Sequence, residues 1–138
     1  MLIEIPGDPI PKARARTTRR GTYDPQSDKK NGIKALILAA SRKDCQNGLN
    51  LPHKGPLSVI LMFYLPTPSD WSKKKLGAFE ANPSDFPHIT KPDTDNLAKF
   101  FLDCANKILY NDDAQIVDLE VRKYYSTKPH TCAIIRFT

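Results

Sequence analysis

The chain has 138 residues, a length that suits a single domain spanning residues 1–138. Its formal net charge is +6, with 21 lysine and arginine residues against 15 aspartate and glutamate residues. This balance favours a polyanionic partner such as nucleic acid. We expect no membrane-spanning segment, because the longest apolar run, Val59 to Leu65, is far too short to cross a bilayer.

The cysteines indicate a reducing compartment. Cys45, Cys104 and Cys132 are odd in number and contain no CxxC pair, so we expect free thiols rather than disulfides. The first residues also lack the long apolar segment of a secretory signal. The sequence therefore predicts a cytoplasmic protein.

The first half of the chain predicts a strand, a basic loop, a helix and a second strand. Leu2–Ile5 is short and apolar, and Gly7–Tyr23 is basic and contains two prolines, as in an extended loop. A helix is predicted to begin at Pro25 or Ser27 and to run to about Cys45. Leu57–Leu65 is apolar on both alternating faces, which is typical of a central strand. The helix has a predicted buried stripe of Ile33, Leu36, Ile37 and Ala40.

The second half predicts a long loop, the clearest helix and two final strands. Pro66–Thr90 is irregular and proline-rich, and we expect a surface loop with one helical turn near Lys74. Apolar spacing predicts a helix over Asp93–Leu109. Ile116–Tyr125 and Thr131–Phe137 are predicted strands of one hairpin. This order indicates an α+β or mixed α/β fold, and we take α+β, a small mixed sheet with helices packed on it, as the prediction.

The segment KPDTDN opens the second helix with two acids, which allow two interpretations. Asp93 and Asp95 suit the cap and first turn of a helix, where they would complement its dipole. Alternatively, they are functional, because Asp95 and Lys99 share a polar helix face opposite Leu97 and Phe101.

A second acidic pair, Asp112-Asp113, follows this helix. We expect Asp113 to meet Asp93 and Asp95 if the next strand runs back along the helix and packs beneath it through the apolar residues Val117, Leu119 and Val121. A carboxylate cluster in a basic, phosphate-binding protein suits a hard cation, Mg²⁺ or Mn²⁺. Such an ion can promote phosphodiester hydrolysis.

These residues resemble a known signature. KPDTDN followed by a lysine, and DDAQ at the start of a strand, are similar to the motifs of RusA-like Holliday junction resolvases. The resemblance places metal ligands at Asp93, Asp95 and Asp113 and a catalytic lysine at Lys99. It implies a Mg²⁺-dependent homodimer that binds four-way DNA junctions and makes paired cuts. Some relatives have an arginine run directly before the acids, where this chain has His88–Pro92.

The basic loop and the wider function remain open at this level. Lys12, Arg14 and Arg16 alternate along an extended segment and are predicted to contact DNA phosphates rather than bases. Trp71 and Phe79 are either packing residues or platforms for unpaired bases. Two alternatives to a junction resolvase are a less selective nuclease for flaps or forks, and a non-catalytic DNA-binding module in which the acids only cap a helix.

Overall fold

The computed structural model describes residues 1–138, which form six strands and three α-helices. The strands are β1 (Leu2–Pro6), β2 (Arg16–Thr18), β3 (Gly21–Tyr23), β4 (Leu57–Pro66), β5 (Ile116–Ser126) and β6 (His130–Phe137). The helices are α1 (Ser27–Gln46), α2 (Lys73–Ala81) and α3 (Thr94–Ala105). Two short 3₁₀ turns span Pro83–Asp85 and Asp113–Gln115.

The main sheet has four strands in the order β1-β6-β4-β5. β4 is central, as predicted, with β6 antiparallel on one side and β5 parallel on the other. Its alternate residues from Leu57 to Leu65 are buried. The predicted hairpin of the last two strands is wrong, because β4 lies between β5 and β6. A strand that is apolar on both faces is typical of the interior of a sheet, where a neighbouring strand pairs with each of its edges.

The core lies between this sheet and the helices α1 and α3, in a cluster of 18 buried residues. α3 contributes the largest helical share, with a buried face of Leu97, Ala98, Phe100, Phe101, Cys104 and Ala105. This arrangement of a mixed sheet with helices packed on it confirms the predicted α+β class. No helix in the structure has the length and apolarity that a membrane crossing needs.

Two predicted elements in the first half need correction. The buried positions of α1 are Ile37 and Ser41, whereas Leu36 is 42% exposed, because the helix turns a narrower face to the core than its apolar residues suggest. The basic loop contains the small antiparallel pair β2 and β3. Gly21 at φ +123° provides the conformation that its turn requires.

The long segment before α3 is also more ordered than predicted. It contains the nine-residue helix α2, whose cap Ser72 accepts a hydrogen bond from the Lys75 amide at 3.1 Å. Trp71 and Phe79 pack against each other, with ring centroids 5.8 Å apart, so they are packing residues here. These contacts fix the chain that leads into the start of α3.

Candidate metal centre and DNA-facing surface

Two open carboxylates stand at the start of α3. Asp93 occupies the cap position, yet its side chain accepts no capping hydrogen bond. Asp95, in the first turn, lies 3.8 Å from the Lys99 ammonium, and both side chains are about two-thirds exposed, at 66% and 64%. Capping therefore does not account for Asp93, and both acids are accessible to a cation.

A polar cleft of about 380 Å³ opens beside these acids. Its walls are Pro11, Lys12, Lys91, Pro92, Asp93 and Asn96. The Lys12 amide donates a hydrogen bond to the Asn96 carbonyl at 2.9 Å, which docks the N-terminal basic loop on the first turn of α3. The cleft therefore combines a free carboxylate with two lysines, a setting suited to a phosphate beside a cation.

In the basic loop, one of the three predicted DNA-binding residues forms an ion pair within the chain and the other two do not. The Lys12 ammonium lies 2.7 Å from the Asp103 carboxylate, so its charge is partly neutralised within the chain. Arg14 and Arg16 are exposed and form no ion pair. Lys12 therefore differs from Arg14 and Arg16, and the two arginines carry the free positive charge of this loop.

β5 runs back along α3, as expected from the sequence, but the residue that reaches the start of α3 is Lys123 rather than Asp113. The Lys123 ammonium donates hydrogen bonds to the carbonyl of Pro92, at 3.0 Å, and to that of Thr90. Lys123 thus fixes the backbone directly before Asp93. Sequence reasoning missed it, because only the strand direction brings it there. The expected packing beneath α3 holds only at Val121, which packs against the core. Val117 and Leu119 are 70% and 45% exposed on this edge strand.

Asp112 and Asp113 lie beyond the opposite end of α3. The Asp112 side chain caps the 3₁₀ turn by accepting from the Ala114 amide at 2.9 Å. Its carboxyl, together with partial burial, raises the pKa of Asp113. Asp103, near the C-terminal end of α3, is among the acids whose charge contributes to this shift. A pair of neighbouring acids is therefore exposed to solvent at this end of the helix.

The three motif acids consequently do not form one cluster within a chain. α3 extends for about 18 Å, at roughly 1.5 Å per residue, between its acidic start and its other end. No group of three or more histidine, cysteine, aspartate or glutamate side chains is placed to hold a metal ion. The expected convergence of Asp93, Asp95 and Asp113 therefore does not occur within one chain. The strand that follows Asp113 does run back along α3, but its later residues, and not Asp113, reach the start of the helix.

Comparisons with known proteins identify the family. The profile of the family described as Endodeoxyribonuclease RusA matches residues 6–136, nearly the whole chain. The chain belongs to the RusA family. It is also 32% identical over 133 residues to a Bacillus subtilis (strain 168) protein named Uncharacterized protein YqaN, an alignment that covers 94% of this chain and 91% of that protein.

Membership of the RusA family indicates a nuclease acting on DNA junctions. The RusA match contains every motif residue identified from the sequence, and the structure places them in two groups. Asp93, Asp95 and Lys99 lie together at the start of α3, and Asp113 lies at its far end.

Proposed function

We propose that this protein is a Mg²⁺-dependent endodeoxyribonuclease, with Mn²⁺ as an alternative ion, that resolves four-way DNA junctions by paired phosphodiester hydrolysis. The observation that carries the proposal is the uncapped Asp93 carboxylate beside Asp95, at the mouth of a lysine-lined cleft in a RusA family chain. Hard carboxylate oxygens of this kind are suitable ligands for Mg²⁺.

Each residue around this cleft has a role in the proposal. Asp93 and Asp95 hold the cation, which supplies Lewis-acid activation of water and of the scissile phosphodiester when bound. Lys99, next to Asp95, balances the charge that develops on the phosphate. Lys12 and Lys91 line the cleft where the DNA backbone passes. Lys123 holds the Pro92 carbonyl and so orients Asp93.

We place the third ligand, Asp113, in the partner subunit of a two-fold homodimer. In a two-fold interface, a residue i contacts residue j of the partner while j contacts i. Pairing the start of one α3 with the far end of the other therefore completes two identical sites at once. This also provides the two cuts that one four-way junction requires, although each chain has one set of motif acids.

The edge of the sheet offers a surface for this dimer. β5 is an edge strand, and its first half presents Val117 and Leu119 to solvent between Asp113 and Lys123. Exposed apolar residues on an unpaired edge are unfavourable in a monomer and are covered when a second chain pairs there. The two chains therefore join along β5, where antiparallel contact brings the start of one strand towards the end of the other.

Substrate comparison tests the function. We expect metal-dependent cleavage of a synthetic four-way junction at symmetric positions, mapped at nucleotide resolution, and little cleavage of linear duplex. Equal cleavage of flaps and forks would favour the less selective nuclease. Binding without cleavage in Mg²⁺ or Mn²⁺ would favour a non-catalytic DNA-binding module.

The basic loop gives a separate prediction about binding. Replacing both Arg14 and Arg16 by alanine is expected to weaken binding to every DNA sequence alike, because these exposed arginines neutralise phosphates. The slope of log affinity against log salt should become shallower by about 0.9 for each duplex phosphate that the variant no longer neutralises. Titrations at several salt concentrations measure this slope.

Cleavage at saturating protein should largely survive in this double variant, since the acids at the start of α3 are unchanged. Lys43→Ala, which removes a charge from the last turn of α1, is the matched control and should leave the slope unaltered. An unchanged slope in the arginine variant would show that the loop is only a solvated surface.

A further inference from the structure

A second cleft opens near the chain that leads into α3. It has a volume of about 450 Å³, within the range of roughly 300–1,000 Å³ that small-ligand sites occupy. It lies between the chain before α3 and the end of β5. Its walls are Pro83, Ser84, Phe86, Pro87, His88, Lys123, Tyr124 and Tyr125. Unlike the cleft at Asp93, it has an aromatic lining.

The aromatic lining is held rigidly from behind. Tyr125 meets the edge of Trp71 with ring centroids 4.9 Å apart, and Phe86 packs on Trp71 at 5.6 Å. His88 lies against Tyr125 at 4.3 Å. The cleft therefore has walls built from rings that are already packed, which suits recognition of another flat ring.

His88 is a buried group that lacks a partner. It is only 9% exposed, and its Nδ1 atom is buried with no hydrogen bond. Because this atom has almost no exposed surface, it does not face the cleft, and His88 contributes its ring to the aromatic wall. The cleft wall also contains Lys123, which bonds to Pro92, so the cleft is fixed directly beside Asp93.

An exposed isoleucine directly follows the cleft residue His88 in the chain. Ile89 is 84% exposed, more than any other large apolar residue of the chain. The residue before it, His88, is buried, and the carbonyl of the residue after it, Thr90, is held by Lys123. The exposed Ile89 side chain therefore lies between two residues whose positions are fixed by burial and by a hydrogen bond. Apolar side chains in this situation can insert between base steps of DNA and unstack them.

We propose that the aromatic cleft binds an unstacked nucleobase of the branched DNA, and that Ile89 is the wedge that separates this base from its neighbour. The inference rests on the proposed nuclease function and adds a specificity site to it. Unstacking is least costly where bases are already poorly paired, as at a branch point. The cleft would therefore favour junctions over linear duplex while the same strand passes Asp93.

The test measures binding in the non-cleaving Asp95→Asn protein. Ile89→Ser removes the wedge, and Ser84→Trp fills the cleft from its rim. We expect each change to lower affinity for a four-way junction by about ten-fold, the effect of removing one base from an aromatic stack. Affinity for linear duplex of the same sequences should stay within about two-fold, because a fully paired duplex offers no unstacked base. Leu38→Ser, which removes a leucine that is 45% exposed on α1, is the matched control.

A second measurement links the cleft to a base. Nucleotides at the branch point are made abasic one at a time, and one abasic position should lower the affinity of the Asp95→Asn protein as much as Ile89→Ser does. The two changes together should cost no more than one alone. Independent effects, or equal weakening on junction and duplex, would overturn the nucleobase site. A parent protein with no preference for junctions would instead overturn the proposed function.

Discussion

A mixed dimer of one Asp95→Asn chain and one Asp113→Asn chain is expected to nick a four-way junction, although neither parent homodimer cuts it. The reason is that Asp93 and Asp95 lie at one end of α3 and Asp113 at the other. Within one chain, no group of three acids is placed to hold a metal ion. In the dimer that we propose, the intact Asp93 and Asp95 of one chain would meet the intact Asp113 of its partner. One site is restored and the other has two defects.

The experiment uses chains with two different tags, so that mixed dimers are isolated by two successive affinity steps. Denaturing electrophoresis of labelled junctions then separates single nicks from paired cuts, and single nicks are expected. A mixture of Asp93→Asn and Asp95→Asn chains is the matched control and should stay inactive, because both changes lie at the start of α3. If all ligands came from one chain, both mixtures would be inactive while the wild-type protein still cut.

The homodimer of Asp95→Asn is expected to lose cleavage by about 100-fold or more and to bind junctions as tightly as the parent or more tightly. Changes to residues that only support a metal ligand already cost about 10–100-fold, so loss of a ligand should cost at least the upper value. Binding should not weaken, because the change removes a negative charge near the DNA phosphates. Single-turnover cleavage and a gel-shift titration measure the two effects.

Asp28→Asn provides the control for this variant. Asp28 is an exposed acid in the first turn of α1, so its replacement changes the net charge equally without altering α3. It should leave cleavage unchanged. If a folded Asp95→Asn protein loses binding together with cleavage, Asp95 is a structural residue of the helix start, and its assignment as a metal ligand fails.

Local patterns in the sequence were sufficient for most elements of the fold. β1, β4 and α3 follow from runs and spacings of apolar residues, and the two final strands were found within one or two residues of their bounds. Strand order was not available from the same patterns. β5 and β6 are consecutive and joined by a short connection, yet they form backbone hydrogen bonds with opposite edges of β4.

The candidate site divides in the same way. The sequence by itself was enough to predict which acids and which lysine form the site, because these residues stand at short spacings around the start and end of one helix. Only the tertiary structure decided where they lie. The direction of β5 sets Lys123 beside Pro92 and leaves Asp113 at the far end of α3. Distances between residues far apart in sequence depend on the packing of whole elements, which short motifs do not encode.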